Sequence, residues 1–198
     1  MHPETAQTRE AAEGPAAQDD RTMTLEAYAD TIIPGAKRWP QDRAVAGLSH
    51  DGGAVEAGAV TLLEGPEGGL APALDDLATA LNGHAVRHRD AHGLPEDPSV
   101  PAFVALEADE RIALVRELTA LGHPEQALWV GLAIFSTMAF DSAPHLHTAD
   151  AVRDGHVGLK TLGFAQPDAD GLWRFADHSY RRELAPSHPD TNSTGSLA

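Results

Sequence analysis

His84, His88 and His92 recur every fourth residue. That step stacks three imidazoles along one helix face, and two histidines so placed can ligate one metal ion. No HExxH pattern accompanies them, and no carboxylate shares their face, since Asp90 projects roughly opposite His88. The competing reading makes them the hydrogen-bonded end of a buried apolar stripe. A second group, Asp141, His145 and His147, has the form D-x3-H-x-H, which can hold a metal or pair a carboxylate with an imidazole as general base. Pro144 interrupts that spacing, and Asp141 could instead cap the segment SAPHLH. If the fold joins the two groups, His84, His88, His92, His145 and His147 become a candidate metal-ligand set.

Other chemistries lack their residues. The chain has no cysteine, which removes disulfides, thiolate catalysis and cysteine-ligated metal. It has no Walker loop, no G-x-S-x-G nucleophile turn and no Rossmann glycine fingerprint. Thirty acidic side chains against fourteen basic ones give a net charge of −16, which disfavours nucleic acid and anionic lipid as partners.

The elements that must position these residues are helical. Ala, Leu and Val dominate the apolar set and aromatics are few, so the expectation is an all-α single-domain bundle of about six helices, with at most one small strand pair. Residues 1–21 are expected to be a disordered arm, 22–184 the helical domain, and 185–198 a disordered tail. Thr24 is placed as the cap of a first helix that Pro34-Gly35 stops. The stretch AKRWPQDRAVAGLSHDGG reads as a long loop anchored by Trp39. Gly53 to Leu63 reads as a short helix of small residues.

Leu70, Leu74, Leu77, Leu81 and Ala85 then define an amphipathic helix running to about His92. Another spans Asp109 to Leu121, with Ile112, Val115, Leu118 and Leu121 inward and Glu110, Arg111, Arg116 and Glu117 outward. The run ALWVGLAIFSTMAF, Ala127 to Phe140, is about fourteen residues where a spanning helix needs roughly twenty, so it reads as a core helix. The first twenty residues carry no basic flank followed by an apolar stretch, and the expected location is cytoplasmic. Phe164 to Tyr180 is expected to be loop or hairpin. There Phe164, Trp173, Phe175 and Tyr180 interleave with Arg174, Arg181 and Arg182, the composition of an interface hot spot or of a cover for the bundle end.

Two stretches resemble a known family. TLEAYADTIIPG followed by GAVEAGAV, and the apolar helix running on to GLKTLGF, are similar to the small subunit of gluconate 2-dehydrogenase, often called subunit 3. An actinobacterial branch of that family shares the GLWRF and SYRREL ending. Leu159 stands where the family usually has Trp. The resemblance implies a helical, non-catalytic accessory subunit that helps a glucose–methanol–choline-type flavin oxidoreductase fold, stay soluble or, in exported members, travel by the twin-arginine route. No N-terminal twin-arginine signal is expected for this chain, its Arg181-Arg182 pair lying far down the sequence. The FAD, the catalytic histidines and the substrate pocket belong to the family's large subunit, so no cofactor or catalytic residue is implied in this chain. The expected partner contacts are Asp141, His145, His147, Phe164, Trp173, Arg174, Phe175 and Tyr180.

Overall fold

Apolar residues at three- and four-residue steps give helices wherever the spacing is sustained, and a computed structural model of the protein has eight α-helices and no strand among the described residues. It describes residues 19–166 and Asp190. The helices are α1 (Asp20–Ile32), α2 (Ala59–Glu64), α3 (Leu74–His92), α4 (Ala102–Ala105), α5 (Ala108–Leu118), α6 (Gln126–Asp141), α7 (Thr148–Arg153) and α8 (Val157–Thr161). The all-α expectation holds. These helices form one unit that closes at Phe164, and 165–198 stands as a second unit. The loop or hairpin expected over Phe164 to Tyr180, and the tail expected from 185, fall almost wholly outside the described residues.

Several boundaries move for local reasons. The first helix is capped by Asp19, whose carboxylate accepts the Thr22 N–H at 2.8 Å, and not by Thr24. Thr24 lies inside the helix with its hydroxyl turned back onto the Asp20 carbonyl. The segment read as one helix from Gly53 splits into a turn and α2, and α3 is preceded by a short 3-10 turn at Ala71–Ala73. α5 ends at Leu118, which leaves the supposedly inward Leu121 94% exposed.

The core forms where α1, α3, α4, α5 and α6 meet. Tyr28 lies between Phe103 and Trp129, with ring centroids 6.4 and 6.2 Å away, and all three side chains are fully buried. The Tyr28 hydroxyl donates to the Trp129 carbonyl at 2.7 Å, which satisfies a polar atom that burial would otherwise strand. Asn82 on α3 joins two neighbours, accepting the Phe103 N–H and donating to the Thr24 hydroxyl.

A buried polar layer fixes the long loop after α1. Asp30 accepts the N–H groups of Gly35 and Ala46, and burial holds its pKa above the ordinary carboxylate value despite those bonds. Arg38 forks onto Glu26 at 2.7 and 2.7 Å, also binds Asp42, and stacks over Trp39 at 4.6 Å. The expected Trp39 anchor is therefore half of a cation–π pair. Arg111, expected to face outward, is buried. It spans the molecule by donating to the carbonyls of Leu106, Ala44, Arg43 and Val104.

Candidate functional site

Each histidine of the first cluster has its own partner. Arg87 donates to His84 Nδ1 at 2.9 Å, and because a guanidinium cannot accept, the proton of the neutral ring sits on Nε2, which donates to Glu125 at 2.6 Å. The same Glu125 oxygen accepts Trp129 Nε1–H at 3.0 Å. The bonds from His84 and Trp129 hold the Glu125 carboxyl below its ordinary pKa. His88 is buried against Glu110, its Nε2 lying 2.7 Å from the carboxylate, while His92 donates Nδ1–H to the His88 carbonyl. The His88 and His92 rings lie 4.3 Å apart. A metal at His84 would have to displace either Arg87 or Glu125.

The second cluster does not assemble as a set. Ala143, with φ of 44°, and Pro144 turn the chain out of α6, so the four-residue step from Asp141 to His145 is not helical. Asp141 is exposed, accepts the Ser142 hydroxyl at 2.7 Å and caps no helix N-terminus. His147 is exposed and precedes α7, with Nδ1 3.5 Å from Asp150. His145 instead turns toward α2 and α8. Its Nδ1 is buried without a hydrogen-bond partner, and its ring lies 6.3 Å from that of His156. Among the described residues no three His, Asp or Glu side chains converge as a metal would require.

His156, absent from both sequence clusters, acts as a joint. Its Nε2–H donates to the Ala57 carbonyl at 3.1 Å and its Nδ1 accepts the Leu159 N–H at the start of α8. A Cβ on Gly58 would stand 2.6 Å from His145 Nε2, so glycine there admits the imidazole. The stretches GAVEAGAV and DSAPHLHTADAVRDGHVGLKTLGF therefore pack on one another. Part of their glycine content serves helix endings. Gly155 (φ 77°) follows α7 as His156 N–H bonds back to the Ala151 carbonyl, and Gly163 (φ 77°) follows α8 as Phe164 N–H bonds to Leu159.

Burial, together with the neighbouring His156, lowers the pKa of His145 from its ordinary 6.5. The unfolded chain then binds the proton more readily than the folded one, so stability falls as pH drops through 6.5 and flattens below the folded-state pKa. Urea unfolding at pH 7.5 and 5 is expected to show a smaller acid loss in His145→Leu than in the parent. Equal losses in the two proteins would refute the assignment.

Among the described residues a wide concavity lies elsewhere. α6 buries Trp129, Leu132, Ser136 and Ala139, but Leu128 and Ile134 are 43% and 51% exposed, so it is a core helix on one side only. Its open side, with the ends of α1 and α5, bounds a groove of about 700 Å³ lined by Ile32, Ile112, Val130, Ile134 and Met138 among others. Thr31, Thr119 and Thr137 also line it, yet each hydroxyl donates to the carbonyl four residues back. Those donors are already used, which leaves Arg116 and Asp141 as the charged groups lining an otherwise largely apolar groove. Neither histidine cluster opens into it; of the expected contact residues only Asp141 lines it, while Phe164 is 46% exposed at the end of the unit. Trp173, Arg174, Phe175 and Tyr180 lie outside the described residues. The signal for the groove was present in Ile134, Met138 and Ile112, but a run that is apolar all round does not say which side another helix will cover.

Comparison with known families gives one match. The model of a family of unknown function, DUF5987, matches residues 19–198. The chain belongs to that family. No curated protein and no solved structure matches it significantly. The DUF5987 match begins at the residue that caps α1 and takes in every helix, the groove and the joint around His156. No helix among the described residues is long and apolar enough to cross a membrane.

Proposed function

We propose that the chain is a non-catalytic accessory subunit, and that the groove between α1, α5 and α6 receives an apolar segment of a glucose–methanol–choline-type flavin oxidoreductase. The observation that carries this reading is the side of α6 left open among the described residues, where exposed Ile134 and half-buried Val130 and Met138 line a concavity of about 700 Å³. Exposed apolar ground of this kind marks interaction sites. The net charge of −16 favours a partner face on which basic residues surround the apolar ridge. In this reading FAD and the redox chemistry reside in the partner, and this chain stabilises or completes it. The histidines give no competing reading of equal strength, because His84 and His88 are already engaged with carboxylates.

Co-expression with a candidate large subunit tests the proposal. The two chains are expected to co-purify, and omitting this one is expected to lower flavin occupancy and turnover. Ile134→Glu places a charge in the groove at a half-exposed position, so it is expected to abolish co-purification while changing stability by no more than about 1 kcal/mol. Absence of co-purification with the parent chain, or undiminished binding by Ile134→Glu, would count against the proposal.

A further inference from the structure

A second depression lies on the loop after α1 and the start of α5, away from the apolar groove. It has a volume of about 370 Å³, and three cationic side chains, Lys37, Arg43 and Arg111, line it against one carboxylate, Glu107. In a chain of net charge −16 this is a local inversion of sign. Among the described residues neither Lys37 nor Arg111 has a carboxylate oxygen within 4 Å, although the charges of Asp30, Glu107 and Asp42 act on Arg111 from farther off, whereas Arg43 is paired with Asp97 at 2.8 Å. Lys37 spends one of its three donors on the Asp42 carbonyl. Arg111 makes four bonds to carbonyls through Nε, Nη1 and Nη2, which leaves one Nη1 hydrogen of its five.

Two further features point the same way. Glu107 occupies the cap position of α5, its carbonyl accepting the N–H groups of Glu110 and Arg111 but its side chain accepting none, so a first turn without a side-chain cap reaches the depression at Ala108. The hydrocarbon that the depression offers is Leu48, which is 58% exposed at its rim, while Val45, Val104 and Leu106 are buried beneath it.

We propose that this depression binds a small organic carboxylate, its charge held between Lys37 and Arg111 and its apolar body resting on Leu48. The pairing of the remaining Lys37 and Arg111 donors with an uncovered aliphatic side chain selects an anion with a hydrocarbon body over a bare inorganic one. Glu107 limits the ligand to a single negative charge by repelling a second. The site is independent of the accessory-subunit reading.

Titration of the full-length, 15N-labelled chain with butyrate tests it, with butyramide and inorganic phosphate as separate arms. Butyrate is expected to give saturable amide shifts at Ala46, Leu48 and Ala108, and butyramide is not. Lys37→Gln keeps a donor for the Asp42 carbonyl but removes the charge, and is expected to weaken butyrate about tenfold at an unchanged melting temperature. Leu48→Ser is expected to weaken butyrate and to leave any phosphate response unaltered. The proposal is overturned if butyrate shifts do not saturate, if butyramide reproduces them, if phosphate binds as tightly, or if Lys37→Gln binds butyrate like the parent.

Discussion

Arg111→Met is expected to lower the unfolding free energy by about 4 kcal/mol, the loss typical when one partner of a buried charged network is removed. The reason is the number of groups that depend on a single guanidinium. Its four bonds, at 2.9, 2.9, 2.9 and 2.6 Å, reach carbonyls at 43 and 44 in the loop after α1 and at 104 and 106 around α4. Methionine fills much of the volume but offers no donor, so the carbonyls lose the group that ties those two segments together. Asp30 is affected as well, because the Arg111 charge partly offsets the burial that raises its pKa. Arg111→Lys keeps the charge as a point and cannot fork onto four acceptors, so it is expected to recover less than half of the loss. Urea unfolding monitored by circular dichroism would measure both variants, and a fall below about 1 kcal/mol for Arg111→Met would contradict this account.

Gly158→Ala is expected to cost about 3 kcal/mol, near the upper end for overpacking. Cβ added at Gly158 would overlap the Phe140 carbonyl oxygen and sit 2.6 Å from its carbon. The obstacle is backbone at the end of α6, which cannot swing aside as a side chain would. Alanine should therefore push α8 off α6 and loosen the His156 bond to Ala57 that depends on the position of α8. For a unit of this size the melting temperature would drop by roughly 10 °C. Calorimetry on Gly158→Ala beside Gly131→Ala supplies the control, since a Cβ at Gly131 meets nothing within 4 Å and alanine there should be neutral or stabilising. Comparable melting temperatures for the two variants would remove the steric argument.

Arg111 also shows how far the sequence could be read. The pattern Arg111, Val115, Leu118 has the four- and three-residue steps of an inward stripe, and all three residues are buried. Periodicity alone would have placed it correctly; the usual exposure of charged residues argued the other way. The α3 stripe was legible for the opposite reason. Leu74, Leu77, Leu81 and Ala85 are uniformly apolar and uniformly buried, and the stripe continues into His88. The histidine spacing was correct as geometry but silent as chemistry, because Arg87, Glu110 and Glu125, which occupy the rings, include two acids from distant parts of the chain. The D-x3-H-x-H pattern failed at Ala143 and Pro144, where a chain turn replaced the helical register it assumed.

The short helices α7 and α8 share a separate apolar cluster of only Ala143, Ala151 and Leu159, with Val152 packed beside it. The main core, by comparison, unites aromatic and aliphatic side chains from all six helices α1 to α6. Fraying at this end exposes less hydrocarbon than opening the main core, so amides between Ala143 and Phe164 are expected to exchange with solvent deuterium ahead of those in α3, and a bound partner that orders this end would slow them.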